Sequence, residues 1–163
     1  MSRWRPPQAK SSPYITAAGY TLLEAELKQL WERRKHVTAA LSAAAAEGDR
    51  SENAEYIYRK KELREIDRRI HYLQKRLPLL NIVSEKPQNQ QQVFFGAWVT
   101  LETMQGDEIT YRIIGADEID TSGGLISLDS PLAKALLKKN LDDEVVVRHG
   151  DQEQRYYIVG IRY

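Results

Sequence analysis

The chain has 163 residues, 42% of them hydrophobic and 29% charged, enough for one medium domain or two small ones. It has no cysteine, which excludes disulfides, thiol catalysis and cysteine-built zinc sites and suits a reducing cytoplasm, and no window holds the ~18 apolar residues of a membrane span. The formal charge of +1 conceals a split: residues 1–83 carry 16 Lys and Arg against 10 Asp and Glu, whereas residues 84–163 carry 8 against 13, which predicts two modules, the first attracted to something anionic.

The opening "MSRWRPPQAKSSPY" is basic and proline-containing, without a signal-peptide core, so residues 1–13 are expected to form a flexible arm. Thr16 is a plausible N-cap for a helix rich in Ala, Leu, Glu and Lys. Leu23, Leu27, Leu30, Val37, Leu41 and Ala44 recur in steps of three and four, skipping Arg34, and describe a heptad seam. The run reaches Ala46, and Gly48 supplies a stop.

A second seam runs through Tyr56, Leu63, Ile66, Ile70, Leu73 and Leu77, with Arg59 at one seam position and Pro78 closing it. Two such helices separated by so short a link must fold back on each other, which predicts an antiparallel coiled-coil hairpin over 14–83. Each helix is expected to hold about 28–32 residues and to measure ~42–48 Å. A hairpin that long is expected to project as a finger, with residues 47–55 at its tip.

"SEKPQNQQQ", 84–92, is polar and aperiodic and reads as a linker. From residue 93 the period becomes two. "VFFGAWVTLE" and "EITYRIIGA" read as strands joined by the turn "TMQGD", and "LISLD" as a third strand. Ser130 and Pro131 open a short helix to about Lys138. "EVVVRH" and "RYYIVGIRY" form a closing hairpin around His149, Gly150 and Asp151. The expected class is therefore α+β, the second half a small antiparallel sheet with one helix.

The tip, "AEGDRSENAEY", crowds Glu47, Asp49, Glu52 and Glu55 into nine residues. One reading is capping: Asp49 as N-cap of the second helix, with Glu52 completing a capping box. The other is a carboxylate pair that assists a metal, since Mg²⁺ needs only one or two protein carboxylates when water and phosphate complete its shell. Capping does not account for Glu47, which falls at the C-terminal end of a helix, where the dipole disfavours an acid. The two readings are compatible. No histidine lies close enough to serve as base, because His36 and His71 fall well down the helices, so the tip is expected to lend its acids to a partner's active site.

Lys60, Arg64 and Arg68 share one helical face, flanked by Lys61 and Arg69, with Arg33, Arg34 and Lys35 at a comparable height on the first helix. Residues 50–76 hold nine basic residues against five acidic ones, a surplus that suits the phosphate backbone of a nucleic acid, although a solvated face laced with Glu62, Glu65 and Asp67 accounts for the same run. Tyr56 and Tyr58 can stack on unpaired bases, or Tyr56 can fill the seam.

The stretch "GDRSENAEYIYRKKELREIDRRIHYLQKRL", together with "VFFGAWV" and "DSPLAKALLKK", resembles the bacterial Gre transcript-cleavage factors over roughly residues 14–163, and the basic helix makes the resemblance closer to the GreB type than to GreA. The resemblance implies an FKBP-like C-terminal domain over 93–163 that docks on RNA polymerase at the rim of the secondary channel, while the hairpin reaches the catalytic centre. It implies that Asp49 and Glu52 help to bind a second Mg²⁺, shared with the polymerase and not held tightly by this protein alone, and position the attacking water. Ser51, Asn53 and Glu55 would support that geometry. Lys60, Lys61, Arg64, Arg68 and Arg69 would contact the 3′ end of backtracked nascent RNA. The protein is then a cytoplasmic, monomeric accessory factor and not an enzyme by itself.

Two alternatives stand beside this. A prolyl isomerase or chaperone would use Phe94, Phe95, Trp98, Tyr156 and Tyr157 as an aromatic pocket, although sheet core or a docking surface accounts for them equally. A channel-binding regulator of the DksA type would carry a cysteine zinc site, which this chain lacks.

Overall fold

The computed structural model describes residues 9–48 and 53–163. Two units result: Ala18–Leu80 is one, and the segment up to Ala17 together with Asn81–Tyr163 is the other.

The first unit is helical. Helix α1 spans Ala17–Ala45 and α2 spans Ala54–Arg76, 29 and 23 residues. At 1.5 Å per residue they measure about 43 and 35 Å. Their pairing is antiparallel: Glu26 near the start of α1 meets Arg69 near the end of α2, Arg33 meets Glu62, and Ala44 meets Asn53. The heptad seams supply the interface. Val37 is fully buried against Ile66 and Ile70, with Leu27, Leu30 and Leu63 packed around them. Leu73 is likewise fully buried. The two seam positions held by arginine are both compensated: Arg34 reaches Asp67 at 2.7 Å, and Arg59 lies between Glu55 and Glu62.

Helix α2 is shorter than the sequence suggests, for two reasons. Its N-cap is Asn53 rather than Asp49, and at its far end Pro78 belongs to a 3₁₀ turn over Leu77–Leu79.

The second unit is a sheet with one short helix. Strands β3 (Trp98–Thr103), β4 (Glu108–Ile114), β5 (Leu125–Ser127), β6 (Glu144–His149) and β7 (Gln152–Arg162) lie in the order β5-β4-β3-β7-β6. All neighbours are antiparallel except β4 and β5, which run parallel. A turn cannot join parallel neighbours. The link from β4 to β5 instead crosses over through a 3₁₀ turn at Ala116–Glu118 and a bend at Asp120, whose carboxylate accepts from the Ser122 hydroxyl at 2.6 Å and the Ser122 amide at 3.1 Å. The Ser122 hydroxyl contributes most, followed by the Gly123 amide at 3.3 Å, and together these donors hold the Asp120 carboxyl below the usual carboxylate range.

Period-two alternation sends Val99, Leu101, Ile113, Val145, Val147 and Ile158 into the core. Helix α3 (Pro131–Leu136) closes it with Ala133 and Leu136, capped by Ser130 Oγ accepting from the Ala133 amide. The stretch "VFFGA" is not strand: Gly96 takes φ +88° and the ladder begins only at Trp98.

The segment expected to be a flexible arm divides. Residues 1–8 lie outside the described residues, but Ser12 donates both its amide and its hydroxyl to the Asp129 carboxylate. Strand β1 (Tyr14–Ile15) pairs in parallel with β2 (Asn81–Ile82), so the chain just before α1 and the chain just after α2 lie side by side. Ile15 is fully buried there. Thr16, directly before α1, donates its amide and hydroxyl to Glu118, which also accepts from the Gly115 amide at 2.9 Å. Two bidentate carboxylates thus bracket β1.

Candidate functional site at the helix junction

The junction is built from two helix ends. At the end of α1, Ala46 N donates to Ser42 O and Glu47 N to Ala44 O, both at 3.2 Å, and Gly48 then takes φ +128° with open space around it. This is a conformation that favours glycine, and it turns the chain off the helix axis. At the start of α2, Asn53 has extended backbone and its Oδ1 accepts from Tyr56 N at 3.1 Å. Its Nδ2 donates to Ala44 O at 2.8 Å. One amide therefore caps α2 and holds the end of α1.

The acids separate accordingly. Asp49 and Glu52, and the supporting Ser51, lie outside the described residues. Glu55 sits in the first turn of α2, where the dipole favours it, and its carboxylate binds Arg59 at 2.8 Å. Glu47 is exposed. Among the described residues no group of three or more His, Asp or Glu converges as a metal site. The capping role read for Asp49 belongs to Asn53: both residue types cap well, but only the amide can also donate to Ala44 O.

The basic residues divide as well. Arg33 binds Glu62, Arg34 binds Asp67, Lys35 binds Glu32, and Arg69 makes two bonds to Glu26 at 2.7 and 3.0 Å. The three arginine pairs cross between the helices and hold the hairpin together, whereas Lys35–Glu32 lies within α1. Lys60, Lys61, Arg64 and Arg68 remain exposed, and the last three have no acidic partner among the described residues. Lys60 leans over the Tyr56 ring at 5.8 Å. Lys60, Arg64 and Arg68 step along α2 every four residues over ~12 Å, with Lys61 beside them. Tyr58 is 58% exposed beside them, whereas Tyr56 is half-buried on the seam.

Glu62 joins both helices. Burial pushes its carboxyl up, but the hydrogen bonds and charges of Arg33 and Arg59 outweigh this and hold it below the usual carboxylate range. A folded-state value below the unfolded one contributes stability that is complete above the unfolded value, about 4.3, and disappears as pH falls through the folded one. Glu62→Gln is therefore expected to lower the melting temperature by about 2–4 °C at pH 7 and by nothing measurable near pH 3. Melting curves at the two pH values, followed by circular dichroism, provide the check.

Among the described residues, the aromatic side chains of the sheet unit are dispersed. Tyr156 packs against the core, Tyr157 is exposed, and Trp98 lies between Arg112 and Arg162, whose guanidinium carbons sit 5.5 and 4.7 Å from its ring centre. Tyr14 and Phe95 meet at 6.4 Å.

Residues 13–82 match the family described as transcription elongation factor, N-terminal, and residues 87–163 match transcription elongation factor, GreA/GreB, C-term. The transcription elongation factor GreB of Pseudomonas aeruginosa is 54% identical over 164 residues, spanning 100% of this chain and 98% of that protein. The chain belongs to the GreA/GreB family of transcription elongation factors. GreB of Haemophilus influenzae is 57% identical over 140 residues, 85% of this chain and 88% of its own. The solved structure of the transcription factor Gfh1 is 24% identical with a TM-score of 0.46, covering 96% of this chain and 100% of that one. Among the described residues of this Gre-family chain, no helix is long and apolar enough to cross a membrane.

Sequence reasoning missed three features of the hairpin: the Asn53 bridge, the Glu62 link between Arg33 and Arg59, and the Glu26–Arg69 pair. The last two carried a signal. In an antiparallel pairing, partners on α1 descend as those on α2 ascend, and Glu26 with Arg69 and Arg33 with Glu62 keep one register.

Proposed function

We propose that this Gre-family chain binds RNA polymerase, enters its secondary channel with the helical hairpin and stimulates Mg²⁺-dependent hydrolysis at the 3′ end of backtracked nascent RNA. The observation that carries this reading is the division of labour at the helix junction. Asn53 caps α2, so that cap does not call on an acid.

Asp49 and Glu52 would add oxygens to a Mg²⁺ ion that the polymerase holds for the most part. Glu55 is committed to Arg59, and two carboxylates would leave most of a six-oxygen shell to water, phosphate and the polymerase. When bound, the ion supplies Lewis acidity toward the attacking water and the scissile phosphate. The two carboxylates orient that water and accept its proton. Lys60, Lys61, Arg64 and Arg68 neutralise phosphates of the extruded RNA, and Arg69 serves the hairpin's own structure through Glu26. Hydrolysis shortens the transcript and leaves a new 3′ end from which elongation resumes. The chain is thus an accessory factor in this reading, with the polymerase supplying the remainder of the active centre.

A photo-crosslinker at position 47, which is exposed, tests the placement. Crosslinks to polymerase segments beside the catalytic aspartates are expected, and crosslinks confined to the outer surface would contradict it. The cationic face has its own test. Neutralising Lys60, Arg64 and Arg68 should reduce the slope of log affinity for single-stranded RNA against log salt by about 2. An unchanged slope assigns those residues to solvent.

A further inference from the structure

The side of α2 that faces away from α1 carries a pattern of its own. Arg68, Tyr72, Lys75 and Leu79 follow one another in steps of four, three and four, the spacing of a heptad seam. Each stands two positions beyond a residue of the inner seam, Ile66, Ile70, Leu73 or Leu77, and so about 200° around the helix from it. Tyr72 is 41% exposed and Leu79 63%. With His71 and Arg76 these four residues line an open groove of about 370 Å³. A second hollow, lined by Glu65, Arg68, Arg69 and Tyr72, shares Arg68 and Tyr72 with it.

Arg33, Arg34 and Arg69 answer acids across the hairpin. No acid lines the groove between residues 68 and 79, and Arg68, His71 and Lys75 have no acidic partner among the described residues. Lys75 and Arg76 also suit the C-terminal end of α2, where the dipole favours cations. The dipole asks nothing of Tyr72 and Leu79, which place apolar surface in water between those cations.

We propose that this face of α2 is a docking site for an acidic amphipathic helix of another protein, its apolar stripe laid on Tyr72 and Leu79 and its carboxylates set against Arg68 and Lys75. A helix presents the same face every seven residues, and Arg68 and Lys75 are seven residues apart, so acids at that interval meet both. A nucleic acid would use the cations and leave Leu79 uncovered. A second copy of the same face would set like charges against each other. Arg68 is shared with the cationic face assigned above to RNA, whereas Tyr72, Lys75 and Leu79 are not, and the proposal holds whether or not the hairpin contacts RNA.

The test follows backbone amide shifts of the full-length protein by NMR during titration with a synthetic helical peptide. The peptide is about three heptads long, with Leu at the two seam positions and Glu beside them. Shift changes centred on residues 68–79 are expected. The double variant Tyr72→Ser with Leu79→Ser keeps every charge and is expected to bind about tenfold more weakly, as is Lys75→Glu. All three positions are exposed, so melting temperatures are expected within about 2 °C of wild type. Should the double variant melt early, Lys75→Glu carries the test alone. Wild-type affinity in the variants overturns the proposal. Equal binding by a peptide of the same composition in scrambled order also overturns it, because that reduces the site to bulk charge. Two further results do the same. Shifts over 68–79 produced by a single-stranded RNA oligonucleotide but not by the peptide assign the face to nucleic acid, and shifts produced by raising the protein concentration alone assign it to a second copy.

Discussion

Replacing Asp49 and Glu52 together by alanine is expected to lower stimulated transcript cleavage by about 100-fold or more at saturating protein, with polymerase binding unchanged. The reason is a difference between ground state and transition state. In the proposed reading the two carboxylates would contribute where positive metal charge and a developing hydroxide meet, and the cap of α2 is supplied by Asn53. Binding and catalysis should therefore separate: the concentration giving half-maximal stimulation stays near wild type while the maximal rate collapses. Single-turnover cleavage of a halted complex, with the factor titrated, measures both. Equal loss of affinity and rate would assign the acids to docking instead.

Gly115→Ala is the change expected to cost most in stability for its size. A Cβ built at this position would lie 2.1 Å from the Tyr14 carbonyl oxygen and 3.1 Å from Glu118 Oε2. The first contact is with backbone, which cannot swing aside. Relief requires moving β1 away, and β1 is anchored by Ile15, by the Thr16–Glu118 bonds and by pairing with β2. The expected cost is about 2–4 kcal/mol, or a fall in melting temperature on the order of 5–15 °C. A melting temperature within 2 °C of wild type, roughly half of what 1 kcal/mol gives, would show that β1 does not lie against Gly115.

The hairpin was legible in the sequence because its determinants are local and periodic. Leu23, Leu27, Leu30 and Val37 on one helix, and Leu63, Ile66, Ile70 and Leu73 on the other, declare a seam through spacing alone. Even the two arginines that interrupt it are answered by acids across or along the helices. The start of α2 was not legible. Asp49 and Asn53 are both good N-caps four residues apart, and the choice turns on a bond to Ala44 that lies nine positions away.

Around Ser12 the expectation of a flexible arm missed distant partners, for a related reason. Ser12 and Thr16 are held by Asp129 and Glu118, partners 117 and 102 positions distant, and a polar stretch with proline carries no mark of such contacts. In the sheet unit, alternation located the core of each strand. It failed at "VFFGA", where Gly96 at φ +88° breaks the ladder, and at β5, whose parallel pairing depends on how the crossover folds. The sequence presents the charged residues of the hairpin only as a set. Their division into those that hold the hairpin and those that face outward depends on which arginine reaches which acid.

Halted, backtracked elongation complexes mixed with this protein and Mg²⁺ test the central claim most directly. Shortened transcripts, whose new 3′ ends extend when nucleotides are added, are the predicted result. Transcripts of unchanged length at protein concentrations that saturate the polymerase would contradict it.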